Sequence, residues 1–326
     1  MHFLMSQAPG RRAVLAALAA IAAPAWTQTR SFPARPVRIV LPQPPGGAAD
    51  RLARMLGDRL EAQWKQPVVL ENKPGGGVVI GTQAVVRAPA DGHTLGLLGS
   101  SLSINAVQRR DLPYELKDLQ PLARVGYYNV ALVAAASFPA NDIRGLVALA
   151  KGRPANTIAF GSNGIGTSAH VAGEMLNHMA GIELQHVPYN GAAKMYTDII
   201  GGVLPMGFSV VSSAEQFIRS GQMKVLGVTS AQRSPLYPQW PAIAEAFPGF
   251  EAVNWAGLFA PAGVSRELAR QIGEDLLSVL KAPDMERVLS EMGIEYAPQG
   301  PAEFDAFVQS EVRRFAAVLR PLAPQK

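Results

Sequence analysis

Apolar residues in this chain alternate between two spacings. Short continuous runs at 37–41, 68–70, 94–98 and 157–160 are bounded by Pro, Gly or Asn and predict buried strands. Between them the apolar positions recur at helical intervals. Ala49, Leu52, Ala53, Leu56, Leu60 and Trp64 form one such stripe, and Ile143, Leu146, Val147 and Ala150 a second. Ala172, Met175, Leu176 and Met179 form a third. Further strands are predicted over 183–187, 204–208 and 224–229, and two helical stripes close the chain, from Leu268 to Leu280 and from Phe304 to Leu319. Ser213 with Gln216 has the spacing of a capping box, and Gly221 suits the end of the helix it would open. Strands alternating with helices predict an α/β fold with largely parallel sheets. There is no fixed-period repeat and no low-complexity tether, so two lobes would be joined by crossing strands. Tyr127-Tyr128-Asn129 and Asn254-Trp255-Ala256 are the candidate crossings.

The N-terminus departs from this pattern. Arg11-Arg12 precedes an apolar stretch from Ala13 to Ala23, followed by Pro24-Ala25. A basic start, a short apolar core and small residues in an A-x-A exit are the layout of a secretory signal peptide, predicted here as residues 1–25. The stretch is too short to span a bilayer. The Arg pair leaves both the general and the twin-arginine export routes open. Cleavage takes away two Arg and no acid, so the net charge falls from +5 to 5 − 2 = +3.

Composition narrows the function classes. Hydrophobic residues make up 48% of the 326 and charged residues 17%, enough for a sizeable core in about two domains of ordinary size. No run of five or six like charges occurs, so the footprint of a nucleic-acid partner is missing. The chain has no cysteine, which excludes disulfides, a thiol nucleophile and a Cys-based zinc site. Neither a Gly-x-Ser-x-Gly elbow nor a His-Glu-x-x-His zinc helix is present. Ser162 with His170 is the one pair that invites a hydrolase reading, and the start of a helix accounts for both residues without chemistry.

The candidate chemistry lies in loops where a strand ends and a helix opens. Gln43-Pro-Pro-Gly-Gly47, with Pro45 in the turn, and Asp50 make the first; Gly46 and Gly47 allow a ligand to approach the backbone beside unpaired N–H donors. Such a helix start favours an anion by about 0.3–1 kcal/mol, and up to about 2 when partly buried. The loop from Gly161 to His170 repeats the arrangement with added hydroxyls: Ser162, Gly164, Gly166, Thr167, Ser168 and His170 are its candidate residues. It completes neither a dinucleotide fingerprint nor a Walker A loop. Ser100 and Ser101, Tyr189 and Asn190, and Ser209 occupy comparable strand exits. Each loop alone reads equally as a tight turn with a capped helix; their recurrence at the carboxyl edge of a sheet is what points to a ligand cleft.

Taken together, these segments resemble a known family. Pro36-Val-Arg-Ile-Val-Leu-Pro-Gln-Pro-Pro-Gly-Gly-Ala-Ala-Asp50, Val68-Val-Leu-Glu-Asn-Lys-Pro-Gly-Gly-Gly77 and Ala90-Asp-Gly-His-Thr-Leu95 are similar to the solute receptors of tripartite tricarboxylate transporters, the Bug family. So are the 161–170 loop, His186-Val-Pro-Tyr-Asn-Gly191, Val228-Thr-Ser-Ala-Gln-Arg-Ser234 and Leu258-Phe-Ala-Pro-Ala-Gly263. The resemblance covers residues 32–320 in order. It implies a two-lobed periplasmic binding protein of the type II class, with lobe one over 26–128 and 255–326 and lobe two over 129–254. It further implies no enzymatic activity and no cofactor, a small carboxylate as solute, membrane transporter subunits as partners and, in some members, a sensor protein as a further partner. The ligand contacts it implies are the two glycine-rich loops.

Three positions depart from the family's usual pattern. Gln43 stands where an aromatic residue is common, Asn190 where the family often has Lys, and Ser209 where an acid or amide is frequent. With a cation absent at Asn190, a second carboxylate on the solute lacks a partner, so these positions predict a monocarboxylate or an amide-bearing acid.

Overall fold

The computed structural model describes residues 32–319; the expected signal peptide lies outside the described residues. Along the chain run β1 (Val37–Leu41), α1 (Ala48–Trp64), β2 (Val68–Asn72), α2 (Val79–Val86), β3 (Thr94–Gly99), α3 (Ser101–Gln108) and β4 (Leu119–Tyr128). There follow β5 (Val130–Ala135), α4 (Ile143–Lys151), β6 (Ala159–Ser162), α5 (Ser168–Ala180), β7 (Gln185–Pro188), α6 (Ala192–Ile200), β8 (Met206–Val210), α7 (Val211–Arg219) and β9 (Met223–Val228). The last elements are β10 (Asn254–Pro261), α8 (Arg266–Leu280), α9 (Met285–Glu291), β11 (Ile294–Gln299) and α10 (Pro301–Leu319).

The strands form two sheets, one per lobe. The first has the order β11-β4-β10-β3-β1-β2 and the second β7-β6-β8-β5-β9. Both are mixed. The strand–helix units pair in parallel, β1 with β2 and β3, and β6 with β7 and β8. Every pairing that involves β4, β5, β10 or β11 is antiparallel, so the largely parallel expectation holds only for those units. The chain leaves the first sheet after Tyr128, starts the second at Val130, and returns to the first at Asn254.

Burial on both faces explains which strands the apolar pattern misses. In β5, Val130, Leu132 and Ala134 enter one core cluster while Ala131, Val133 and Ala135 enter the cluster on the opposite face. In β10, Trp255 and Phe259 face one side and Ala256, Leu258 and Ala260 the other. A strand covered on both faces has no polar alternation to read. The eight-residue α2, Val-Ile-Gly-Thr-Gln-Ala-Val-Val, is apolar almost all round and carries no clear helical stripe either. The helix expected to be capped by Ser213 begins three residues earlier, with Val210 at the capping position and no side-chain cap. Gly221, at φ +72°, does follow that helix as expected.

The last helix serves both lobes. Phe304 and Val308 pack on the first sheet with Trp255 and Phe259, whereas Phe315 and Leu319 enter the core of the second. Eleven residues separate Phe304 from Phe315, about 16 Å of helix, enough to reach from one core to the other.

Candidate functional site

Between the lobes lies a cleft of about 1530 Å³. Five helices present their first residues to it: Ala48 and Ala49 of α1, Ser101 of α3, Ser168 and Ala169 of α5, Ala192 and Ala193 of α6, and Ser212 and Ser213 of α7. Of these only α5 carries a side-chain cap, from Thr167 Oγ1, which accepts the His170 N–H at 3.3 Å. Each helix start directs unpaired N–H groups and the positive end of its dipole outward from its first turn. Their convergence makes the cleft a place for negative charge.

The first-lobe loop is fastened by a buried carboxylate. Asp50, 3% exposed, accepts the Gly46 N–H at 3.1 Å, the Arg54 Nε at 3.0 Å and the Asn72 Nδ2 at 3.2 Å. Burial pushes this carboxyl up, but the hydrogen bonds from Arg54, Gly46 and Asn72 and the Arg54 charge outweigh it and leave it below its ordinary value. Gly46 adopts φ +85°, which turns the chain into α1.

The second-lobe loop is fastened without charge. Ser162 is fully buried, and its Oγ lies 2.7 Å from His186 Nε2 and accepts the Gly164 N–H at 3.1 Å. Thr167 Oγ1 donates to the Gly164 carbonyl at 2.7 Å. The His186 ring packs between Phe160 and His170, with centroids 5.0 and 4.4 Å away. Burial and then the neighbouring His170 push His186 down to about 4, and burial lowers His170 as well. His170 Nδ1 faces the Gly166 N–H at 3.5 Å and its Nε2 lies 3.9 Å from Glu174.

Ten of the residues singled out in the sequence line the cleft: Gln43, Pro45, Gly46, Gly47, Ser101, Gly164, Thr167, Ser168, Tyr189 and Asn190. Six do not: Asp50, Ser100, Ser162, Gly166, His170 and Ser209 stand behind its wall. Asp50, Ser162 and His170 hold the loops as just described. Ser100 Oγ donates to Asn254 Oδ1 at 2.9 Å, tying the start of α3 to β10. Ser209 Oγ pairs with the Tyr196 hydroxyl at 2.5 Å, so it positions a wall residue instead of forming the wall. A Cβ at Gly166 would meet Asn105 Oδ1 at 2.2 Å, which makes this glycine a contact between lobes. The Ser162–His170 pair is not formed: Ser162 meets His186 instead and faces away from the cleft. At Tyr189 the ring lines the cleft, but its hydroxyl is taken by Asp198 at 2.9 Å; burial and that carboxylate push it up to about 12.

The sequence reading passed over several wall residues. Arg51 on α1, Tyr128 at the end of β4 and Tyr196 on α6 all line the cleft. Burial raises the Tyr128 hydroxyl, and the Arg51 charge acts against it. Burial likewise pushes Tyr196 up to about 12, opposed by Ser209, Ser213 and Arg51. Gln43 Oε1, Asn163 Oδ1 and the Tyr128 hydroxyl are buried wall atoms with no hydrogen-bond partner among the described residues. Among the described residues of the wall, Lys194 pairs with Asp198 and Arg219 with Glu215, while Arg51 meets no carboxylate.

Comparison with known proteins agrees with this geometry. Residues 52–323 match the model of the tripartite tricarboxylate transporter family receptor. Protein BugT of Bordetella pertussis is 32% identical over 311 residues, 94% of each chain. The structure of Rpa4515 from R. palustris with adipate superimposes with a TM-score of 0.84 at 28% identity, covering 89% of this chain and 97% of that one. MatC from Rhodopseudomonas palustris with bound malate gives 0.80 at 25% identity, covering 88% and 100%.

Proposed function

The chain belongs to the tripartite tricarboxylate transporter receptor family, the Bug proteins, and from that premise we propose that it captures a small carboxylate in the periplasm and delivers it to a membrane transporter of that type. The observation that carries this reading is the convergence of five helix starts on one cleft, four of them without a side-chain cap. Charge-assisted hydrogen bonds from such donors contribute about 1.5–3 kcal/mol each. The loop before α1 and the loop before α5 approach the solute from opposite lobes, so binding and closure are one event. The folds of the adipate-bound and malate-bound proteins support the same solute class.

Purified mature protein tested by isothermal titration and thermal melting against mono-, di- and tricarboxylates decides the matter. Saturable binding of at least one acid is expected, with a stabilisation of about 2.7 kcal/mol at 100-fold excess over Kd. Turnover followed in parallel is expected to be nil. Failure of every acid to bind, or conversion of a bound one, overturns the reading. Recovery of the protein from the periplasm at the mass expected after loss of residues 1–25 tests its location.

A further inference from the structure

We propose that Arg51 reads a second acid group on the solute, so that the cleft selects a dicarboxylate over its half-amide. This rests on carboxylate capture as described above and assigns the charge of the far end of the solute.

Arg51 sits three residues beyond Ala48 on α1, so its Cα is about 4.5 Å further along the axis than the helix start. A solute anchored at that start and extending along the cleft passes beside its side chain. The Arg51 Nη2 reaches the second lobe, where it donates to the Ser212 carbonyl at 3.3 Å. That bond occupies one of five N–H donors in a planar fork suited to a carboxylate. A main-chain carbonyl leaves the cation unneutralised, and the other charged wall residues are spoken for: Lys194 by Asp198, and Glu215 and Arg219 by each other. Asp50, one residue before Arg51, is committed to Arg54.

The surroundings are also those of an anion site. The Tyr128 hydroxyl, on a side chain 4% exposed, lines the cleft within the field of Arg51 and has no partner. On the opposite wall the Tyr196 hydroxyl is held by Ser209 beside the first turn of α7, whose capping residue Val210 supplies no side-chain acceptor. A carboxylate here would meet a guanidinium, a phenol and a helix start together. An amide in the same place would leave the Arg51 charge unanswered.

The test uses isothermal titration of the mature protein with succinate, glutarate and adipate, each beside its half-amide. Wild-type protein is expected to prefer the diacid of the best-fitting length by at least about tenfold, a margin that shrinks as salt is added. Arg51→Gln is expected to lower diacid affinity about tenfold or more while changing half-amide affinity less than about threefold. Arg51→Lys should restore part of the preference, and Tyr128→Phe should reduce it by a smaller factor. Urea melting of each variant establishes that it folds. Equal loss for both members of a pair makes Arg51 a strap between lobes and overturns the proposal, as does a wild-type protein that binds both alike or an unchanged Arg51→Gln. If the wild type binds mono-acids but no diacid, carboxylate capture stands and this proposal falls. If it binds no acid, the functional reading itself has failed.

Discussion

The loop before α1 is held by charge, and the loop before α5 by neutral rings and hydroxyls. Both leave a strand, turn on a glycine with positive φ and open a helix toward the same cleft. In the first, the Asp50 carboxylate gathers the Gly46 N–H, Arg54 and Asn72. In the second, Ser162, Thr167 and the packed pair of His170 and His186 do the equivalent work. One backbone solution is thus compatible with two kinds of support, and these supports fail under different conditions. Asp50, with its lowered pKa, keeps its contribution at every pH above the ordinary aspartate value of 3.8 and loses it only as pH falls through the folded value. The histidines are buried neutral, so their contribution is complete above the ordinary value of 6.5 and declines as pH falls below it, for His186 down to about 4.

Removing the charge should have the largest effect. Asp50→Asn loses the acceptor for Arg54 and one for the loop, and urea unfolding should show a loss of about 2–3 kcal/mol, with solute affinity at least about tenfold weaker. A variant as stable as wild type would remove the distinction between the loops.

Next comes acidification. Between pH 6.5 and 4 wild-type stability should fall while Asp50 stays ionised, and His186→Gln, which keeps a partner for Ser162, should flatten that slope. Glu174, 3.9 Å from His170 and raised by burial, opposes the trend, so the comparison is between the two titration curves. Parallel curves would mean that the rings do not carry the pH dependence.

Glycine replacements sharpen the contrast further. Gly46→Ala has open space around its Cβ and pays only the strain of φ +85°, about 1–2 kcal/mol. Gly166→Ala has similar strain at φ +80° and in addition drives a methyl against Asn105 of the other lobe. Its solute affinity should therefore drop several-fold more than that of Gly46→Ala. The smallest effect is expected for Thr167→Ala, about 1 kcal/mol in thermal or urea unfolding, from the lost cap on α5.

Sequence and structure point to different charges at the far end of the solute. The sequence expectation rests on the cation missing at Asn190 and on a hydroxyl at Ser209 in place of an acid or amide. Asn190 does line the cleft, but Ser209 lies behind it, and the wall carries on α1 a cation, Arg51, that meets no carboxylate among the described residues. In the sequence Arg51 is one more polar residue on an amphipathic helix. Only the approach of α7 from the other lobe makes it a wall residue. Likewise His186 reads as one more residue of the strand predicted over 183–187 until Ser162, 24 residues earlier, is found against its ring.

What the amino-acid sequence determined by itself is what neighbouring residues decide among themselves. Apolar spacing places β1, α1, α5, α8 and α10, and the glycines at strand exits mark where helices open, because periodicity and allowed φ are local properties. Tertiary structure decided the antiparallel crossings through β4, β5 and β10; β5 and β10 are apolar on both faces and carry no direction of their own. It also decided which candidates form the cleft wall and which stand behind it. That outcome depends on pairs far apart in the chain: Ser100 with Asn254, 154 residues away, which meet when β10 returns beside β3, and Arg51 with Ser212, 161 residues away, which meet when the two lobes approach each other.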